Sequence, residues 1–348
     1  MMPEIIAHRG ASYLAPENTL TAFRKAMEIG ADGVEMDVQQ TGDKKLVIHH
    51  DFLIDWHTDM RGQIYDMTME ELKALDFGSW KDVSYKDERI ATLREALALC
   101  REMEGTVVQL ELKATIDNDP DFVPRVIEEI RAADITDRLG GISFNHDLLR
   151  QAKQLMPELK VGVLLYGAME TMALPTAMWE ILGLQNSLEE DDFPQLPMFS
   201  VENVNDENCS WMLRQIGSQV SMLQVEFPNE SLIEVIQHLL DQRDPVKYVQ
   251  TLDFKPDWVS CEYHTAYKNA GFIDKLHEMG IKVSLWTVDT EDSVRSLLRT
   301  SADAYITNRP DRVREWVEKE QAATAPTETA TAESAPTAEA DTGTAAAE

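Results

Sequence analysis

Short β-rich runs alternate with helix-period segments along most of this chain, and that alternation limits the possible folds more than any other feature. The runs are IIAHRG at 5–10, DGVEMDV at 32–38, VVQLEL at 107–112, GGISF at 140–144, KVGVLL at 160–165, DWVSCE at 257–262, KVSLWTV at 282–288 and DAYIT at 303–307. Strands alternating with helices predict parallel pairing through crossovers, and eight of them is the number that closes a (β/α)8, or TIM, barrel. The first crossover helix reads directly from the residues. Asn18 is placed as its N-cap, Leu20, Phe23 and Met27 lie on one stripe, and Gly30 stands where a C′ glycine would end it.

Three stretches depart from the alternation. Residues 51–92 read as a small insertion after the second strand, holding one short helix opened by a capping box of Thr68 and Glu71. A larger, mostly helical insertion is expected at about 167–250, after the fifth strand and so at the C-terminal face of the barrel. It contains SLIEVIQHLL, in which Leu232, Val235, Ile236, Leu239 and Leu240 form an apolar stripe. From residue 321 to 348 the chain repeats Ala, Thr, Pro and Glu without large apolar side chains, which predicts a disordered acidic tail and a barrel domain spanning 1–320.

A formal charge of -30 at pH 7 would repel the phosphates of nucleic acid and anionic bilayers, and no basic cluster reverses it locally. Nucleic acid is therefore not expected as a partner. MMPEIIAHRG carries no basic segment followed by an apolar one, and no run of about 18 apolar residues occurs, so a soluble, cytoplasmic protein without stable membrane insertion is expected. Cys100, Cys209 and Cys261 are far apart in apolar surroundings, which fits reduced, buried thiols rather than a disulfide framework or a zinc site.

The candidate chemistry sits at the ends of the first three barrel strands. Glu35 and Asp37, two residues apart, share one face of a strand. On an isolated strand such a pair would mark a solvent-facing edge, but a parallel barrel strand is covered on both faces, so paired carboxylates need compensation, most simply a bound cation. Glu111 repeats the pattern on the next strand. With His8 and Arg9 ending the first strand and Lys113 following Glu111, six polar groups gather at the rim where barrel enzymes place their chemistry. Three carboxylates without cysteine describe a hard oxygen site suited to one divalent cation, Ca²⁺ or Mg²⁺. Arg9 and Lys113 would hold a phosphate, and two histidines would serve as general acid and base. His8 alone could be structural, but its company of Arg9 and acidic strands favours a catalytic role. His49 and His50 fall on opposite sides by alternation. His57, His146, His238, His264 and His277 lack such company and are read as surface or capping residues.

HRGASYLAPENTLTAF, GADGVEMDVQQT, VIHHD, LELK, ISF, WTV and AYITNRP occur in an order that resembles the glycerophosphodiester phosphodiesterase family, over roughly residues 4–313. The resemblance implies a TIM barrel with a segment inserted between the second strand and its helix. It also implies that His8 and His50, the histidine followed by Asp51, are catalytic, and that Glu35, Asp37 and Glu111 bind the metal. Arg9 and Lys113 fall on phosphate-contacting positions, Glu17 and Asn18 on a supporting pair, and Trp286 on an aromatic wall near the glycerol. His49 takes a position the family does not require to be histidine. The chain departs from the pattern at Asn308, where an acid is usual, and at Ser301, where glycine is common; neither is expected to touch the catalytic set. The segment after KVGVLL is longer than most members carry. The implied activity is metal-dependent hydrolysis of a small glycerophosphodiester to glycerol 3-phosphate and an alcohol. Two rivals are a lysophospholipase D-like or phospholipase C-like enzyme using the apolar stripe as a lid over lipid, and a catalytically silent phosphodiester-binding or assembly module. The 167–250 insertion is also a candidate homo-oligomer contact.

Overall fold

The computed structural model describes residues 2–113, 119–166 and 241–324. Each of the eight β-rich runs forms a strand: β1 (Glu4–Ala7), β2 (Gly33–Gln40), β5 (Val107–Leu112), β6 (Leu139–Ser143), β7 (Lys160–Leu165), β8 (Trp258–Glu262), β9 (Lys282–Trp286) and β10 (Ala304–Thr307). They pair in parallel in the order β1-β10-β9-β8-β7-β6-β5-β2, and β2 pairs back to β1, which closes the barrel. Two further strands, β3 (Leu46–Ile48) and β4 (Ala91–Thr92), extend antiparallel from β2 and bracket the residues between them.

The outer helices are α1 (Leu20–Glu28), α2 (Met69–Ala74), α3 (Leu93–Glu102), α4 (Phe122–Ala133), α5 (His146–Leu155), α6 (Pro245–Thr251), α7 (His264–Asn269), α8 (Gly271–Glu278), α9 (Glu291–Leu297) and α10 (Pro310–Thr324). Helix α1 differs from expectation at its start. Thr19 is the N-cap, its hydroxyl accepting from the amide of Ala22, while Asn18 sits one residue earlier in the left-handed region with φ 57°. Asn tolerates that conformation better than most residues. Its side chain is thereby released from capping and turned toward β2. Gly30 at φ 77° ends the helix as expected, and the capping box of Thr68 and Glu71 opens α2.

Ala22, Phe23 and Ala26 are the buried residues of α1, and they join one continuous apolar layer between helices and barrel. At the strands' N-terminal end the Trp258 indole crosses Gly140 and Gly162. A Cβ added at either glycine would lie 2.2 Å from the indole. Gly162→Ala is therefore expected to cost about 1–3 kcal/mol through overpacking, read as a lowered thermal midpoint.

Helix α10 continues past the boundary expected at 321, to Thr324. The apolar stripe of SLIEVIQHLL, with His238, the tail from 325 and Cys209 lie outside the described residues. Cys100 and Cys261 are buried and free. Among the described residues no helix is long and apolar enough to cross a membrane.

Candidate active site

The C-terminal ends of the barrel strands surround a cavity of about 180 Å³. His8, Arg9, Glu35, His50, Glu111, Lys113 and Trp286 line it. Asp37 faces Glu111 in strand register and is fully buried. The structure thus brings together the residues that the sequence scattered over 279 positions, from 8 to 286.

The acids are organised by the turn that follows β1. Arg9 occupies the left-handed region at φ 56° and Gly10 follows at φ 80°, which folds the chain back sharply enough for the Arg9 amide to donate to Glu35 Oε2 at 2.9 Å. The Arg9 guanidinium donates to Glu17 Oε1 at 2.8 Å and lies 3.6 Å from Asp37 Oδ2. Asn18 reads Asp37 twice: its Nδ2 donates to Oδ2 at 2.7 Å, and its Oδ1 accepts from the Asp37 amide at 3.2 Å. One Asp37 oxygen is therefore committed, while the other, Oδ1, is buried with no hydrogen-bond partner. A buried carboxylate oxygen left in that state is costly unless a cation meets it.

Glu35, Asp37 and Glu111 offer oxygens that all lie within 4.8 Å of one another, forming a candidate metal-binding cluster. Burial, with Asp37 and Glu111 close by, raises the Glu35 carboxyl well above the usual carboxylate range. Burial works against the Asp37 charge as well, but His50, Arg9 and Lys113 outweigh it and hold that carboxyl well below its ordinary value. The residues thus fit a divalent cation: a hard oxygen set with one orphaned oxygen and mutual repulsion to relieve. Lys113 Nζ lies 2.9 Å from Glu111 Oε1.

The neighbouring histidines separate. His50 reaches the cavity, with Nδ1 2.8 Å from Asp51 Oδ1. His49 is buried behind it, with Nδ1 2.8 Å from the Asp51 carbonyl and its ring edge-on to His57 and Phe77. Burial and the nearby Arg9 and Lys113 cations pull His50 well below the ordinary histidine value. Burial and Arg9 push His8 down to about 4. Trp286 packs edge-on to Phe144, which stacks on Tyr166 at 4.1 Å, so three aromatic rings wall one side of the cavity.

Three expectations are corrected here. Asn308 does touch the histidine of the rim: its Oδ1 lies 2.8 Å from His8 Nδ1, because β1 and β10 are neighbours and their following turns meet. His57 is buried rather than superficial, 3.8 Å from both Glu17 and Asp51 and packed on Trp80. His146 is buried too, contacting the Tyr248 hydroxyl at 2.8 Å. No local pattern marks His57 or His146. Asn308 and Asp289, by contrast, follow the ends of barrel strands, a position that signals function in this fold. Ser301, the other departure, bonds Asp274 on the exposed surface.

Closed barrel and charged cavity together place the chain among TIM-barrel proteins whose site lies at the C-terminal face of the strands. It belongs to the glycerophosphoryl diester phosphodiesterase family, whose model matches residues 8–192 and 224–312. The stretch left out, 193–223, falls within the insertion expected at about 167–250. A glycerophosphodiester phosphodiesterase of Caldanaerobacter subterraneus subsp. tengcongensis is 42% identical over 160 residues, covering 46% of this chain and 65% of the relative. The chain therefore spans a little under two thirds of that protein. An Oleispira antarctica phosphodiesterase, solved in complex with the product sn-glycerol-3-phosphate, superposes with a TM-score of 0.63 at 25% identity, covering 91% of this chain and 97% of the other. A Silicibacter pomeroyi structure shares the fold at a TM-score of 0.64 and 20% identity, over 91% of this chain and 94% of that one.

Proposed function

We propose that this chain hydrolyses glycerophosphodiesters to glycerol 3-phosphate and an alcohol. The observation that carries the reading is one cavity lined by two histidines, two cations and buried acids. In this reading Glu35, Asp37 and Glu111 hold one divalent cation, Ca²⁺ or Mg²⁺, which when bound neutralises charge growing on the phosphoryl oxygens. Arg9 and Lys113 bind the same phosphate oxygens and overcome the repulsion of an anionic protein. Glu17 and Asn18 hold Arg9 and Asp37 in place. Trp286 offers its ring to the carbon face of the glycerol.

The residues then divide the proton work. One histidine takes the proton of the glycerol hydroxyl next to the phosphodiester, that oxygen attacks phosphorus, and the other histidine protonates the departing alcohol. Water opens the resulting cyclic phosphate with the two roles reversed, leaving glycerol 3-phosphate.

The charged lining of the cavity, with aromatic rings on one side only, suits a glycerol phosphate. Glycerophosphocholine is accordingly expected to release glycerol 3-phosphate at least about tenfold faster than lysophosphatidylcholine, a gap worth about 1.4 kcal/mol in the barrier. Side-by-side assays of the full chain check this; faster turnover of the lysolipid would replace the reading with a lipid diesterase, and no turnover of either or of related diesters would leave a binding module.

A further inference from the structure

Asp289 and Asn308 follow adjacent strands, β9 and β10, and neither is accounted for by the chemistry above. The Asp289 carboxylate accepts three hydrogen bonds: from the Thr307 hydroxyl at 2.9 Å, the Asn308 amide at 2.8 Å and Asn308 Nδ2 at 2.6 Å. A carboxylate surrounded by donors is acceptor-only, so the side-chain nitrogen of Asn308 must be the atom that faces it. The amide cannot be turned over without opposing oxygen to oxygen. Asn308 Oδ1 is then left facing His8 Nδ1 at 2.8 Å, and it also receives the Ser12 hydroxyl at 2.9 Å. The Asn308 carbonyl oxygen accepts from the Tyr13 amide at 3.0 Å, which ties its backbone to the turn carrying His8.

A side-chain carbonyl can only accept. His8 must therefore carry its proton on Nδ1, and in the neutral ring Nε2 then holds the lone pair. We propose that Asn308, itself oriented by Asp289, is a positioning residue that fixes His8 in the Nδ1–H tautomer and so leaves Nε2 as the proton-accepting atom. Its catalytic consequence rests on the diesterase reading above: His8 is equipped to take the glycerol proton in the attack step, the O–H bond breaking as Nε2–H forms and the oxygen's electron pair passes to phosphorus. A ring held in the other tautomer would offer N–H to the substrate hydroxyl and could not accept that proton. Asp289 acts at one remove, by excluding the flipped amide.

The test begins with the full-length wild type labelled with ¹⁵N in histidine, the His8 signals being assigned by their absence from His8→Ala. Long-range proton–nitrogen spectra are expected to show a pyrrole-type Nδ1 and a pyridine-type Nε2 for His8. Asn308→Leu, which keeps volume and removes the acceptor, is expected to lower kcat on glycerophosphocholine by on the order of 10–100-fold with KM nearly unchanged. Exchanging the pair, Asp289→Asn with Asn308→Asp, keeps a donor between the two side chains and an acceptor toward His8, and is expected to recover kcat to within about tenfold, the span of one pKa unit of altered basicity. Asp289→Asn lets the Asn308 amide turn over, and a mixture of His8 tautomers is expected. A wild-type His8 carrying its proton on Nε2, or Asn308→Leu with unaltered kcat and tautomer, would overturn the proposal. Should the wild type turn over no phosphodiester at all, the diesterase reading fails, and the wild-type spectrum still decides the tautomer.

Discussion

His50→Ala is expected to lower kcat by about 10²-fold or more, and His8→Ala by a similar factor, as loss of an acid–base group commonly does. His49→Ala is expected to keep most of the turnover although it alters the adjacent residue. The contrast follows from where the two rings lie. His50 lines the cavity with Asp51 behind it, whereas His49 turns away to bond the Asp51 carbonyl and to pack edge-on against His57 and Phe77. Truncating His49 removes a buried ring, so its cost belongs in the thermal midpoint rather than in chemistry. Steady-state kinetics beside thermal melts of the three variants separate these effects. Comparable loss of kcat at His49 with His50 dispensable would sink the assignment.

Stripping divalent metal with a chelator is expected to abolish activity, and adding back Ca²⁺ or Mg²⁺ to restore it. Three buried carboxylates within 4.8 Å repel one another, and the structure relieves this in part by raising the Glu35 carboxyl, so that it holds a proton more readily. A cation must displace that proton, so apparent metal affinity should strengthen as pH rises through the range in which Glu35 titrates and weaken below it. The same binding should stabilise the fold by about 2.7 kcal/mol at metal concentrations 100-fold above Kd. Activity and thermal midpoint measured against metal at several pH values check both. Full turnover in the metal-free protein would refute the role given to the acids.

Strand-level features were legible because a parallel strand buried on both faces must be an apolar run, and an acid inside one stands out, as Glu35, Asp37 and Glu111 do. The short strand β3 was not, since its three residues give periodicity nothing to act on. Asn18 and Thr19 show a different limit. Both are good capping residues, and only the tertiary demand of Asp37 for a donor decides which one caps. Asn308 is the clearest case. Its distance from His8 along the chain hides the contact, and its difference from the family's usual acid draws attention to charge rather than to hydrogen-bond direction. His57 and His146 became buried through packing by residues far away in sequence, which local context does not encode.

The barrel joins its first strand to its last, and that seam passes through the hydrogen bond between His8 and Asn308, 300 positions apart. During vectorial synthesis the acids at 35, 37 and 111 and the guanidinium at 9 emerge in the first third of the chain, long before the amide that orients the ring at 8. In the proposed reading, competence arrives only when β10 docks, so turnover would report that the two distant parts of the chain have met.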